Sequence, residues 1–203
     1  MTDLKTDEEK AEELKQWWRD NGTSVLAGVA LAVAGTFGWQ QWQSYKVTQT
    51  TTASGLLAQI KNGTGDKDSI TEKLINEYSS TPYAAFAALE KAKDAENSGD
   101  SKASIEALRI ATNSKQSGVA IIAKLRLIRS LITNHELDEA SSLLSEKLPS
   151  AYTSLHEELK GDLYLAKKEV DKARQSYDRA ILSAGRDAVE YLKMKRNNLG
   201  EGA

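Results

Sequence analysis

Between Asn21 and Tyr45 this chain of 203 residues carries no Asp, Glu, Lys or Arg, and that block constrains its fold more than anything else in the sequence. The run from Gly22 to Trp39 is built mainly of Ala, Val, Leu and Gly. An α-helix needs roughly 20 mostly apolar residues to cross a hydrocarbon core about 30 Å thick. Tryptophans mark both ends of that distance: Trp17 and Trp18 before the run, Trp39 and Trp42 at its close. At about 1.5 Å of rise per residue, Trp18 and Trp39 stand about 31 Å apart. Indole rings favour the headgroup level, where an apolar face and a polar N–H are both satisfied. The spacing therefore predicts a helix spanning the lipid bilayer over residues 21–44. A cleaved signal peptide is the rival, with Ala32-Val-Ala34 as a small-residue cleavage pattern. Against it stand the seven acids and four bases that precede the block. The apolar character also runs past Ala34 to the second aromatic pair.

Orientation follows from the bases. Lys5, Lys10, Lys15 and Arg19 precede the block, whereas only Lys46 and Lys61 lie within about 20 residues after it, so the positive-inside rule places the N-terminus in the cytoplasm. Three parts result: a cytoplasmic segment 1–20, the span 21–44, and a domain 45–203 across the membrane. Within the span, Ala30, Ala34 and Gly38 repeat every four residues, and Gly28, Ala32 and Thr36 form a second row. Rows of small residues let another helix approach closely, which makes them candidate packing positions; small residues are also simply common in membrane helices.

After the block, 23 bases face 22 acids, and the whole chain has a net charge of −2. That balance argues against nucleic acid as a partner held by counterion release. Only two prolines occur, and apolar residues recur at spacings of three and four, so the chain reads as all-α. The breakers Asn62-Gly-Thr-Gly65, Thr81-Pro82, Ser98-Gly-Asp100, Ser117-Gly118, Asn134-His135, Leu148-Pro149 and Ala184-Gly185 divide it. Helices are expected to about Ile60, then near 66–79, 82–97, 101–115, 118–133, 136–147, 151–167, 170–184 and 186–198. Short connections make sequential helices antiparallel neighbours, that is, a run of hairpins. One hairpin has the small-large-small-large-small order of a tetratricopeptide repeat in Gly161, Tyr164, Ala173, Tyr177 and Ala180. Its small residues let two helices close up while its tyrosines fill the space to the neighbours. A degenerate copy runs from Leu125 through Ala140 to Leu144, and a weaker one from Tyr83 to Leu108. Three such units meet the usual minimum for a solenoid. The last helix, with Lys193, Lys195 and Arg196 on a wet face, reads as a solvating cap.

A search for chemistry finds no catalytic constellation, so no enzymatic activity, cofactor or metal is expected. With no cysteine in the chain, disulfides, zinc knuckles and thiol nucleophiles are excluded. His135-Glu136 and His156-Glu157-Glu158 both lack the second histidine of a zinc-hydrolase helix; His135, in a turn, and His156, on a polar helix face, read as solvated. Asn62-Gly-Thr-Gly65 lacks the sequel of a phosphate loop, and no serine sits in Gly-x-Ser-x-Gly. What remains is surface. Stacked hairpins form a groove that binds segments of other proteins, with Tyr83, Phe86, Arg126, Arg129 and Tyr164 as candidate lining beside ordinary core packing or exposure.

The order of parts is specific. An acidic segment with Trp17-Trp18, an anchor ending in Gly38-Trp39-Gln-Gln-Trp42, repeats containing Leu125-Arg-Leu127 and Gly161-Asp162, and the stretch Lys193-Met-Lys-Arg-Asn197-Asn198-Leu199 closely resemble the YfgM family of proteobacteria. The resemblance implies a single-pass inner-membrane protein with a periplasmic tetratricopeptide-like domain. It implies an ancillary subunit of the SecYEG translocon, paired with the membrane chaperone PpiD, that links export to periplasmic chaperones by protein–protein contacts. It also implies an alternative role as a membrane-anchored regulator that acts on a cytoplasmic stress-response pathway through the N-terminal segment.

Overall fold

A computed structural model describes residues 6–200; Lys5, used above for orientation, lies outside them. Among the described residues there are nine α-helices and no strand: α1 (Asp7–Asn62), α2 (Lys67–Glu77), α3 (Pro82–Ser98), α4 (Ser101–Thr112), α5 (Ser117–Thr133), α6 (Leu137–Ser145), α7 (Thr153–Ala166), α8 (Val170–Ser183) and α9 (Arg186–Asn197). The expected all-α class holds, and helix boundaries agree with the breaker reading to within a few residues. The chain divides into two compact units, one through Gln49 and one from Thr50 onward.

Local chemistry explains the starts. Asp66 accepts a hydrogen bond from the Asp68 N–H at the head of α2, and Asp100 accepts one from the Ala103 N–H at the head of α4. Pro82 opens α3, where its missing N–H costs nothing. After Pro149 the expected helix begins instead as a 3-10 turn, Ser150–Tyr152, and becomes α7 only at Thr153.

In the second unit α3 pairs with α4, α5 with α6 and α7 with α8, and the first helices of successive hairpins also touch, α3 with α5 and α5 with α7. The three hairpin turns are the same turn. Each has one residue in the left-handed region, Gly99 (φ 79°), His135 (φ 60°) and Lys168 (φ 63°). Each is closed by a long backbone bond, from the N–H of Asp100, Glu136 and Glu169 to the carbonyl of Ala95, Leu131 and Tyr164 at 2.8, 2.9 and 2.8 Å. This is a helix C-terminus that caps itself by reversing its handedness for one residue. Only the first copy uses glycine, which adopts this conformation without steric cost. Lys168→Gly should therefore stabilise the domain by about 1 kcal/mol, read as a shift in the urea midpoint of the full chain in mild detergent. No shift, or a loss, would contradict the strain.

The shared turn sets a register along all three hairpins. Seven residues before it lie Ala92, Ile128 and Gly161; five after it, Ser104, Ala140 and Ala173; nine after it, Leu108, Leu144 and Tyr177. All nine are buried. Ser104 buries a hydroxyl with no partner among the described residues, at a position where the other two units carry alanine. Two adjoining cores result. One joins Ile105, Leu108, Leu127, Ile128, Leu131 and Leu159. The other joins Leu74, Ala87, Ala88 and Ala123 to the last turns of α1 through Ala53, Leu57 and Ile60, whose spacing of four and three makes one helix face.

Candidate functional site

The first unit holds the apolar block as part of α1, which has the length and composition to cross a membrane. Its large apolar side chains face outward: Leu31 is 74% and Phe37 68% exposed, a surface that water does not tolerate on a helix of this length. Trp17 and Trp18 lie at one end with ring centroids 6.5 Å apart, Trp39 and Trp42 at the other with centroids 5.2 Å apart. Lys46 holds its ammonium 3.7 Å from the Trp42 ring centroid. Gly28, Ala30, Ala32, Ala34 and Gly38 are all exposed. A Cβ at Gly28 or Gly38 would meet nothing within 4 Å, so no contact among the described residues requires glycine there.

In the last hairpin Gly161 and Tyr177 are brought face to face. A Cβ on Gly161 would stand 2.5 Å from Tyr177 Cε1 and 2.6 Å from its Cδ1. Tyr177 is fully buried, and its hydroxyl donates to Asp162 Oδ1 at 2.6 Å. Burial, and then the hydrogen bond to Asp162, push its pKa upward. Ala173 and Ala180 are also fully buried. Tyr164 is half-buried at the position occupied in the other units by the core residues Ala95 and Leu131, so it faces the core side and not the groove.

Around this hairpin lies a feature the sequence reading missed. Glu157 and Glu158, next to His156 on a helix whose face there reads as polar, are buried. Glu158 accepts from Arg129 of α5 at 3.2 Å and from Lys195 of α9 at 2.9 Å. Lys195 also donates to Asp162 at 2.8 Å, so one lysine ties two carboxylates of α7 to α9. Glu157 is held by Lys160 at 2.9 Å and by Arg179 at 2.6 Å. Burial works against the Glu157 carboxylate, but hydrogen bonds from Lys160 and Arg179 outweigh it and lower its pKa. Burial likewise disfavours the Lys195 ammonium, and the bonds to Asp162 and Glu158 reverse that and raise it. The expected wet face of α9 is therefore corrected at Lys195, which is turned inward, and beside it Leu192 is buried. Lys195→Met keeps the length and removes the charge, leaving Glu158 with Arg129 alone. A loss of about 2 kcal/mol is expected, less than for a fully enclosed pair because Asp162 is partly wet. Unchanged thermal stability would show that the lysine contributes nothing.

His156 is corrected as well. It is half-buried, and its Nε2 lies 3.0 Å from the Leu144 carbonyl. Burial and the nearby Lys160 lower its pKa. The unfolded imidazole, titrating near 6.5, thus takes up its proton before the folded one. Stability should fall as pH drops from about 7 toward 5, and His156→Gln should flatten that slope. An identical pH profile in the variant would refute the assignment.

The first helices carry two rows in the shared register. Phe86, Ile122 and Leu155 stand thirteen residues before their turns, and all three are exposed, at 36, 43 and 44%. Lys93, Arg129 and Asp162 stand six before, two helical turns further on the same face. Of the lining expected from sequence, Tyr83 and Phe86 adjoin with ring centroids 6.5 Å apart. Arg126 and Arg129 border a cleft of about 270 Å³ against Leu89, Ala92 and Lys93 of α3. Among the described residues no three His, Asp or Glu side chains converge to hold a metal ion.

Comparison with known proteins gives a consistent result. The family model of a tetratricopeptide repeat-like domain matches residues 15–201. A Haemophilus influenzae protein named ancillary SecYEG translocon subunit is 31% identical over 198 residues, 95% of this chain and 97% of that protein. Its Aggregatibacter actinomycetemcomitans counterpart is 29% identical with the same coverage, and the Escherichia coli K12 protein of that name 25% identical over 98% of this chain and 99% of its own. No solved structure matches the chain.

Proposed function

We propose, on the premise that this chain belongs to the YfgM family and carries its tetratricopeptide repeat-like domain, that it is an ancillary subunit of the SecYEG translocon, a non-catalytic adaptor that works through protein–protein contacts. The observation that carries this is identity along almost the whole chain with proteins of that name, anchor and repeats together. In this reading α1 is the retained single-pass anchor in the inner membrane, with residues 21–44 in the bilayer. Segment 1–20 is cytoplasmic and 45–203 periplasmic. Trp17, Trp18, Trp39 and Trp42 sit at the two interfaces, and Gly28, Ala30, Ala32, Ala34 and Gly38 offer a small-residue face to another membrane helix. Anchoring raises the effective concentration of membrane-bound partners, so the repeat domain needs no tight intrinsic affinity. The partners are the translocon, the membrane chaperone PpiD and periplasmic chaperones that receive emerging chains.

Two experiments test the reading. Purification of the tagged protein from membranes in mild detergent should recover translocon subunits and a membrane chaperone; absence of both refutes it. Because the natural chain has no cysteine, Lys10→Cys and Lys115→Cys each create a unique thiol. In intact spheroplasts a membrane-impermeant maleimide should label only the second. Labelling of the first alone would invert the topology.

A further inference from the structure

We infer that the cleft between α3 and α5 binds a carboxylate carried by an extended protein segment that also presents apolar side chains. The inference deepens the adaptor reading and rests on it for the class of partner, a protein.

Three observations converge. First, the register places Lys93, Arg129 and Asp162 at one position on three adjoining first helices, so the groove is cationic toward α3 and acidic toward α7. Second, the acidic end is already neutralised within the chain. Asp162 accepts from Lys195 and from the Tyr177 hydroxyl, and Glu158 from Lys195 and Arg129. The cationic end is not. Among the described residues neither Lys93 nor Arg126 has an ion-pair or hydrogen-bond partner, whereas elsewhere on these hairpins Lys91 pairs with Glu72, Arg109 with Glu139 and Lys124 with Glu146. Glu96 also lines the cleft, which leaves the two uncompensated cations Lys93 and Arg126 against one carboxylate, with Arg129 already shared with Glu158. Third, the floor is apolar, formed by Leu89, Ala92 and Leu108, and the exposed row Phe86, Ile122 and Leu155 runs beside it, one side chain per unit.

The chemistry selects the occupant. Charge-assisted bonds from a guanidinium or ammonium to a carboxylate are about twice as strong as neutral ones, and a low-dielectric floor strengthens them further. Arg129 is pre-oriented by Glu158, so less side-chain freedom is lost when it engages a second acceptor. Neighbouring helices lie about 8–10 Å apart, and an extended chain in the polyproline II form has three residues per turn at about 3.1 Å each, so every third side chain lies on one face and reaches the next row. The matching ligand has an apolar residue at every third position and carboxylates between them. Those carboxylates are Glu and Asp side chains, since a single C-terminus cannot supply one between each pair of apolar residues.

The probe is a fluorescent nonapeptide of three Leu-Ser-Glu repeats, titrated into the full chain in zwitterionic nanodiscs. Saturable binding with a Kd on the order of 10–100 µM is expected, as for a weak groove held at high local concentration. Replacing the glutamates by glutamine should weaken it at least about tenfold, and amidating the C-terminus reports separately on the terminal carboxylate. Lys93→Gln/Arg126→Gln should cause a comparable loss with unchanged thermal stability, since neither side chain has a partner among the described residues. Lys93→Glu/Arg126→Glu should instead favour a peptide of Leu-Ser-Lys repeats. Binding indifferent to peptide charge, binding equal in wild type and both variants, or none up to ~1 mM overturns the inference. Recovery of translocon subunits by the glutamine variant is scored separately. Retained recovery with lost peptide binding leaves the adaptor reading standing, and lost recovery by the wild type with intact peptide binding removes that reading but not the site.

Discussion

Gly161→Val is expected to lower the stability of the repeat domain by about 3–4 kcal/mol, at the upper end for overpacking a core. Two forces oppose each other at this position. A side chain would favour the helix by up to about 1 kcal/mol over glycine. Its Cβ, however, would lie 2.5 Å from a ring carbon of Tyr177, closer than carbon atoms can approach. Such a contact is cheap when the neighbour is the free end of a flexible side chain. Tyr177 is not free: it is fully buried and tied to Asp162 at 2.6 Å. The steric term therefore wins. A second variant separates the clash from any other cause. Tyr177→Ala alone should cost about 3–5 kcal/mol through the cavity it leaves. In that background Gly161→Ala should turn neutral or favourable, so the pair is strongly non-additive. Additive losses in urea titration would mean that the two residues do not meet as described.

Much of this was legible in the sequence, and the boundary of legibility is physical. Gly161, Ala173 and Tyr177 could be picked out because close packing of two helices needs a small residue opposite a large one, and both lie within one hairpin. Turns were legible because Gly99 or Asn134-His135 interrupts a periodic run. The ion network was not. Lys195 meets Glu158 and Asp162 from 37 and 33 residues away, and nothing in the local pattern of α9 distinguishes an inward lysine from a solvated one. The burial of Glu157 and Glu158 was illegible for the same reason: nothing marks a carboxylate as buried until its distant cation is known. The groove rows were half visible. Phe86, Arg126 and Arg129 could be proposed as lining, but their alignment with Ile122, Leu155 and Lys93 depends on the common turn, which uses three different residues. Tyr164 looked like a groove residue because tyrosine suits either side, and only the register assigns it to the core face.

The second large effect concerns the anchor. Val33→Arg puts a charge near the middle of the span, where it costs about 2.5–3.5 kcal/mol for insertion. That corresponds to roughly a hundredfold change in the insertion equilibrium. Most of the variant should leave the membrane fraction on alkaline carbonate extraction, while Val33→Leu stays fully embedded. Equal retention of both variants would show that residues 21–44 do not cross the bilayer. The repeat domain of any extracted protein should keep its cooperative thermal transition, because Val33 belongs to the other unit.

Glu158 binds Arg129 from one hairpin and Lys195 from the final helix while belonging to the hairpin between them. Stacked repeats commonly interact only with their neighbours and lose structure from an end inward. A carboxylate shared by α5, α7 and α9 opposes that order, since release of α9 leaves the charge beside α5 undercompensated. Amide protection in α5, α7 and α9 should then be lost at one common opening free energy, so that this half of the array melts as a block instead of fraying.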